Sequence, residues 1–260
     1  MKPYQWIPIE ECHEDLVPIP AEVFVFQEPH PYVMLQAPYD GKSPYYLRQG
    51  VLNQLIVAQT VLQERCPGWK IQIVDAYRPI AVQQFMVDYT FAELVRSQGL
   101  TIEQLTAAQS EALWQQVYQF WAVPSLNPAT PPPHSTGAAI DITLIDETGC
   151  VVDMGGAIDE LSPRSFPDYF VSGSDQGNEE QEISDDGPQA LRDLFHRNRQ
   201  LLKAVMTTAG FCQHPNEWWH FSLGDQMWAW LLSHNNSSKP IARYGAIADY
   251  CGLLGVAPPQ

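Results

Sequence analysis

The sequence predicts an α+β fold with an antiparallel central sheet flanked by helices, and three observations carry that reading. Helix-period segments come in runs, followed by runs of strand-like segments, which favours α+β over a doubly wound arrangement. The clearest strand, AAIDITLID at 138–146, leads into ETGCVVDM, which reads as a hairpin turn and a return strand. The 260 residues, 45% of them hydrophobic, suffice to bury a sizeable core, and residues 1–260 are read as one domain.

Taken in order, residues 1–48 are rich in Pro and Tyr and read as irregular, with short extended pieces such as AEVFVF. GVLNQLIVAQTVLQERCPGW repeats apolar residues at helical spacing until Cys66-Pro67-Gly68 stops it. KIQIVD, 70–75, alternates and is β-branched, as a strand is. Residues 80–98 and 102–122 read as helices, and 125–133 as a Pro-rich loop. Within 138–146, Ala139, Asp141 and Thr143 share one face while Ile140, Ile142 and Leu144 share the other. Residues 171–190 hold six acidic side chains and no basic ones, the composition of a surface insertion. LRDLFHRNRQLLKAVMTTAG is an amphipathic helix ending at Gly210, WWHFSL is a strand, and a short apolar helix and a tail follow Gly224.

Charge and composition exclude several function classes. The net charge is -16 with only 14 scattered Lys and Arg residues, which excludes a nucleic-acid partner. No apolar run has the length of a membrane span, and the N-terminal stretch has no apolar signal core, so a soluble cytoplasmic protein is expected. Five cysteines (Cys12, Cys66, Cys150, Cys212 and Cys251) without a CxxC argue against both a disulfide framework and a Cys-rich metal site. GxSxG, Walker A, GxGxxG and HExxH are absent.

A histidine and carboxylate set remains. Of seven histidines, His134 and His220 adjoin strand-forming sequence with a carboxylate nearby. Asp141 lies opposite the isoleucines, and His220 shares a face with Ser222 while Trp219, Phe221 and Leu223 face the core. Neighbouring strands would then present an imidazole and a carboxylate on one surface, with a second imidazole from the loop before. Two His and one carboxylate with a position open to water make a standard catalytic zinc shell, although nitrogen and oxygen ligation also suits other divalent metals. Glu217, three residues before His220, is either a base swung back by the Pro215-Asn216 turn or an exposed turn residue; spacing alone leaves both readings open. Arg78, held extended by Pro79, either meets a developing oxyanion or makes a surface salt bridge.

HSTGAAID fits an HxxGxAxD motif and EWWHF supplies its second half. With DAYRP, MGGAIDELSPRS and NRQLLKAVMTTAGF, the stretch from 75 to 228, apart from the acidic segment, resembles the zinc D-alanyl-D-alanine dipeptidases of the vancomycin-resistance type, within the wider D-Ala-D-Ala metallopeptidase and hedgehog-like fold. The resemblance implies one zinc ion per chain on His134, Asp141 and His220, Glu217 as catalytic base and Arg78 as stabiliser of the tetrahedral intermediate. It further implies Asp159 beside the substrate's free amino group and Tyr32 lining the substrate. The implied partner is a small dipeptide; the oligomeric state is not indicated. Pro131-Pro132-Pro133 and Thr136 depart from the family, where serines and an arginine are usual, and this bears on the substrate contacts. A D,D-carboxypeptidase or murein endopeptidase, or a non-catalytic zinc-containing binding module, are the alternatives on this fold.

Overall fold

The computed structural model of the chain describes residues 2–171, 187–235 and 241–247. Most of the acidic segment and the end of the tail lie outside the described residues. A 3-10 turn at Pro3–Trp6 opens the chain, followed by β1 (Leu16–Pro18), β2 (Val25–Phe26), α1 (Pro31–Met34), β3 (Tyr46–Arg48), α2 (Gln49–Arg65), β4 (Lys70–Asp75) and α3 (Ile80–Ser97). Then come a 3-10 turn at Ile102–Gln104, α4 (Ala107–Phe120), a further 3-10 turn at Pro133–Thr136, β5 (Ala139–Ile145), a 3-10 turn at Pro163–Ser165, α5 (Gln189–Thr208), β6 (Cys212–Gln213), β7 (His220–Ser222) and α6 (Gln226–Asn235).

The central sheet has five strands in the order β2-β4-β5-β7-β6. Every pairing from β4 to β6 is antiparallel, as the sequence predicts; the short edge strand β2 adds a parallel pair to β4. One face is apolar. Ile71, Ile73, Ile140, Ile142, Leu144 and Phe221 form a core with Leu55, Ala58 and Leu62 of α2 and Leu202, Val205 and Met206 of α5. Burying side chains of this size contributes roughly 1.5–3 kcal/mol each, so this face sets the register of the sheet. A second cluster, built from Val82, Met86, Phe91, Val95, Leu113 and Val117, joins α3 to α4.

The register carries the functional geometry. Asp141 of β5 lies opposite His220 of β7 and opposite Asp75 of β4. Strict alternation from Ile71 and Ile73 would aim Asp75 into the apolar core. Instead Ile73 pairs with Ile142 and Asp75 with Asp141, so β4 carries one extra residue at a bulge. The bulge turns Asp75 to the polar face.

Local details follow the sequence with some differences. The expected helix at 102–122 is a 3-10 turn at Ile102–Gln104 and then α4, because Thr106 and Gln109 form a capping box that starts a new helix. The expected return strand after 146 is a single bridge between Ile145 and Val151, since Asp146 folds the turn onto its own carboxylate through the Thr148 and Cys150 amides. Gly210, at φ 89, closes α5 with the Phe211 amide donating to the Met206 carbonyl.

Gly137 sits at φ 70 between His134 and Asp141, and its carbonyl accepts from the Arg48 amide at 2.9 Å. A Cβ there would lie 2.6 Å from a methyl of Leu16. The methyl can move aside, so the main cost is the left-handed backbone. Gly137→Ala is expected to lower stability by about 1–3 kcal/mol, measured as a drop in the urea midpoint at unchanged slope.

Candidate metal centre

His134, Asp141 and His220 are all buried, and their ligand atoms lie within 4.8 Å of one another. His134 Nε2 is 3.2 Å from Asp141 Oδ2 and 3.1 Å from His220 Nδ1, which is 3.0 Å from Asp141 Oδ1. The neighbours assign the tautomers. His134 Nδ1 is 2.7 Å from the carbonyl of Ala76, which can only accept, so Nδ1 carries the proton and Nε2 turns a lone pair inward. His220 Nε2 faces Ser222 Oγ at 3.4 Å, and that hydroxyl donates to Asp225 at 2.9 Å. With the His220 proton on Nε2, its Nδ1 also presents a lone pair. Two imidazole nitrogens and a carboxylate thus converge without a proton between them, an arrangement that a divalent cation satisfies.

Glu217 reaches this centre because β6 and β7 are joined by a tight excursion. The His214 amide donates to the His220 carbonyl at 2.9 Å and the Trp218 amide to the Ser165 carbonyl at 2.9 Å. The loop therefore doubles back, and Glu217 Oε2 sits 3.8 Å from His220 Nδ1. Glu217 is buried, and burial together with the Asp141 and Asp159 charges raises its pKa well above the ordinary glutamate value, against Arg78 and Lys2. His214, in the same loop, accepts the Asn216 amide on Nδ1. Burial, then His220 and Lys2, push its pKa well below the ordinary histidine value, so it is a neutral ring with its proton on Nε2.

Arg78 is buried, so its pair with Asp75 is not a surface salt bridge. It holds Asp75 through Nε at 3.0 Å and Nη2 at 2.7 Å, donates to Gln83 at 2.8 Å, and stacks over Tyr32 and Trp121. Burial alone would raise the Asp75 pKa; the Arg78 charge and the His30 hydrogen bond outweigh it and hold the group below the ordinary carboxylate value. His30 accepts the Tyr32 amide on Nδ1, so Nε2 donates to Asp75 at 3.1 Å.

Arg78, His134, Asp141, Asp159, Glu217 and His220 all line one cavity of about 320 Å³. Asp159 has φ 63, a left-handed backbone that aspartate tolerates better than most non-glycine residues. Tyr32 departs from expectation: it is buried behind Asp159 rather than on the cavity wall. Its hydroxyl donates to Asp159 at 2.7 Å and accepts from Arg78 at 3.2 Å. Sequence reasoning passed over Asp75, His30, His214, Lys2 and the Ser222–Asp225 pair. Asp75 stood in the quoted DAYRP, but only the bulge shows where it points. His30 and His214 carry no periodic signal.

A buried two-histidine, one-carboxylate centre with a glutamate at its edge and a cavity in front has the donor set of a metal-dependent hydrolase, and the family of this chain is one of metallopeptidases. The chain belongs to the D-ala-D-ala dipeptidase family, whose profile matches residues 26–239. It is 51% identical over 248 residues to the D-alanyl-D-alanine dipeptidase of Synechocystis sp., covering 95% of this chain and 97% of the relative. Over shorter stretches it is similar to enzymes of the same name from Escherichia coli (40% over 90 residues, 35% of this chain and 37% of the relative) and Enterococcus faecium (33% over 94 residues, 36% and 37%). Among the described residues no helix is long and apolar enough to cross a membrane.

Removing Asp75 would leave the buried Arg78 charge without its main partner. Asp75→Ala is expected to destabilise the fold by about 3–5 kcal/mol, read from chemical denaturation.

Proposed function

We propose that the chain hydrolyses D-Ala-D-Ala to two D-alanines, with one zinc ion held by His134, Asp141 and His220. The observation that carries this reading is that Glu217, Arg78 and Asp159 line the same small cavity as the three ligand side chains. Bound there, zinc would supply Lewis-acid polarisation of the scissile carbonyl and lower the pKa of water.

The remaining roles fall to the chain's own side chains. Glu217 takes the proton of the attacking water and delivers it to the leaving amine; burial and the neighbouring carboxylates raise its pKa, which makes it a stronger base than an exposed glutamate. Arg78, fixed by Asp75 and Gln83, faces the charge that develops on the carbonyl oxygen. Asp159, oriented by Tyr32, receives the substrate's ammonium group. A carboxylate closing the amino end of a short cavity favours a free dipeptide over an N-acylated chain, and so the dipeptidase over the D,D-carboxypeptidase. The site draws on residues from the opening 3-10 turn to the last helix, which supports reading the chain as one metallopeptidase domain.

Metal analysis of the purified protein with a D-alanine release assay tests the reading. Glu217→Gln is expected to keep its zinc and lose about 10²–10⁴-fold in kcat. Full turnover in that variant would remove Glu217 from the mechanism, and efficient cleavage of an N-acylated D-Ala-D-Ala would move the assignment to the carboxypeptidase.

The pH dependence follows from Asp159. Burial, then the Asp141 charge, push its pKa up to about 6 against Arg78 and the Tyr32 hydrogen bond. As pH falls through that value the carboxylate takes a proton and loses its hold on the ammonium. KM is expected to rise below that pH in the wild type, and to be high and flat with pH in Asp159→Asn.

A further inference from the structure

Among the described residues, two Lys or Arg side chains line the cavity, Arg78 and Lys2. Arg78 already donates four hydrogen bonds, to Asp75 twice, to Gln83 and to Tyr32, so little of its donor capacity is left beyond one developing oxyanion. Nothing in the reaction described above uses Lys2. Yet its place is built. The Pro3–Trp6 turn that follows it packs on α6, Tyr4 is buried, and Gln226 Nε2 donates to the Ile7 carbonyl at 2.6 Å. The Lys2 ammonium is half-buried and donates to the carbonyl of Tyr118, near the end of α4, where the chain goes on to line the cavity at Phe120, Trp121 and Ala122. Burial lowers its pKa, and the Glu217 charge acts against this, which ties Lys2 electrostatically to the reacting end of the site.

A free dipeptide is a zwitterion. The cavity wall carries three carboxylates, Asp141, Asp159 and Glu217, against Arg78. Zinc on the proposed centre would offset Asp141 at the reacting end, which leaves Asp159 to draw the ammonium end and calls for a cation with free donors to meet the carboxylate end. Resting on the dipeptidase reading, we propose that Lys2 receives the substrate's C-terminal carboxylate and so selects a free acid at that end. Asp159 and Lys2 then divide the recognition of the two termini, and Arg78 is left for the oxyanion. An ammonium has donors beyond the one given to Tyr118, enough to meet a carboxylate oxygen.

The test compares the zinc-loaded wild type with Lys2→Met and Lys2→Arg on D-Ala-D-Ala and on D-Ala-D-alaninamide, which lacks the terminal charge. Lys2→Met is expected to lower kcat/KM for the free acid by about 10–100-fold, the loss of one charge-assisted hydrogen bond, chiefly through KM. The value for the amide should change little, and Lys2→Arg should recover most of the loss. An equal fall on both substrates would make Lys2 a structural tether, and a shifted acid limb of the kcat profile with unchanged discrimination would make it a modulator of Glu217. Either result, or no loss on either substrate, overturns the assignment. A wild type that hydrolyses neither compound overturns the dipeptidase reading itself, and that is seen before any variant is compared.

Discussion

Asp75, Asp141 and His220 stand side by side across β4, β5 and β7, and the site is organised around that row. Three ionisable groups buried on neighbouring strands repel and desolvate one another unless each has a partner of its own. Arg78 and His30 meet Asp75, while His134 and His220 meet Asp141. The row therefore separates into a part closed by protein and a part left with inward lone pairs. The closed part orients Arg78. The open part is the candidate metal centre.

The opposite face of the sheet holds the row in register. Ile71, Ile73, Ile140, Ile142 and Phe221 pack on α2 and α5, and a one-residue slip of β7 would exchange His220 for a tryptophan or a phenylalanine in the site. The cost of such a slip, several buried aromatic and aliphatic side chains, far exceeds what any single polar contact in the site contributes. Apolar packing on one side thus aligns the polar chemistry on the other. The bulge at the end of β4 is the local exception that brings Asp75 across.

Around the row, the remaining side chains divide the work by charge. Burial and the Asp141 charge raise the pKa values of both Glu217 and Asp159, and Arg78 opposes them at each. Tyr32 links Arg78 to Asp159, so the guanidinium and the anion across the cavity are coupled through one hydroxyl. The Ser222–Asp225 pair plays the matching part for His220 by giving its outer nitrogen an acceptor.

Much of this was legible in the residues. Alternation in AAIDITLID set Asp141 opposite the isoleucines, alternation in WWHFSL set His220 opposite Trp219 and Phe221, and both are on those faces in the fold. Period-two patterning is local, so a single strand reveals its own two faces. The partners of Asp75 were not legible, because a bulge reverses the face that alternation assigns and depends on pairing with β5. Nor was the burial of His30, the place of His214 beside His220, or the arrival of Lys2 at the cavity, since each depends on segments of the chain meeting in space. The sequence by itself determined the strand faces and, through HSTGAAID and EWWHF, the candidate ligands, because those signals are written in adjacent residues. Only the tertiary structure decided which charges neutralise one another and which face the cavity, because desolvation and Coulomb interactions depend on distance in space and not on position along the chain.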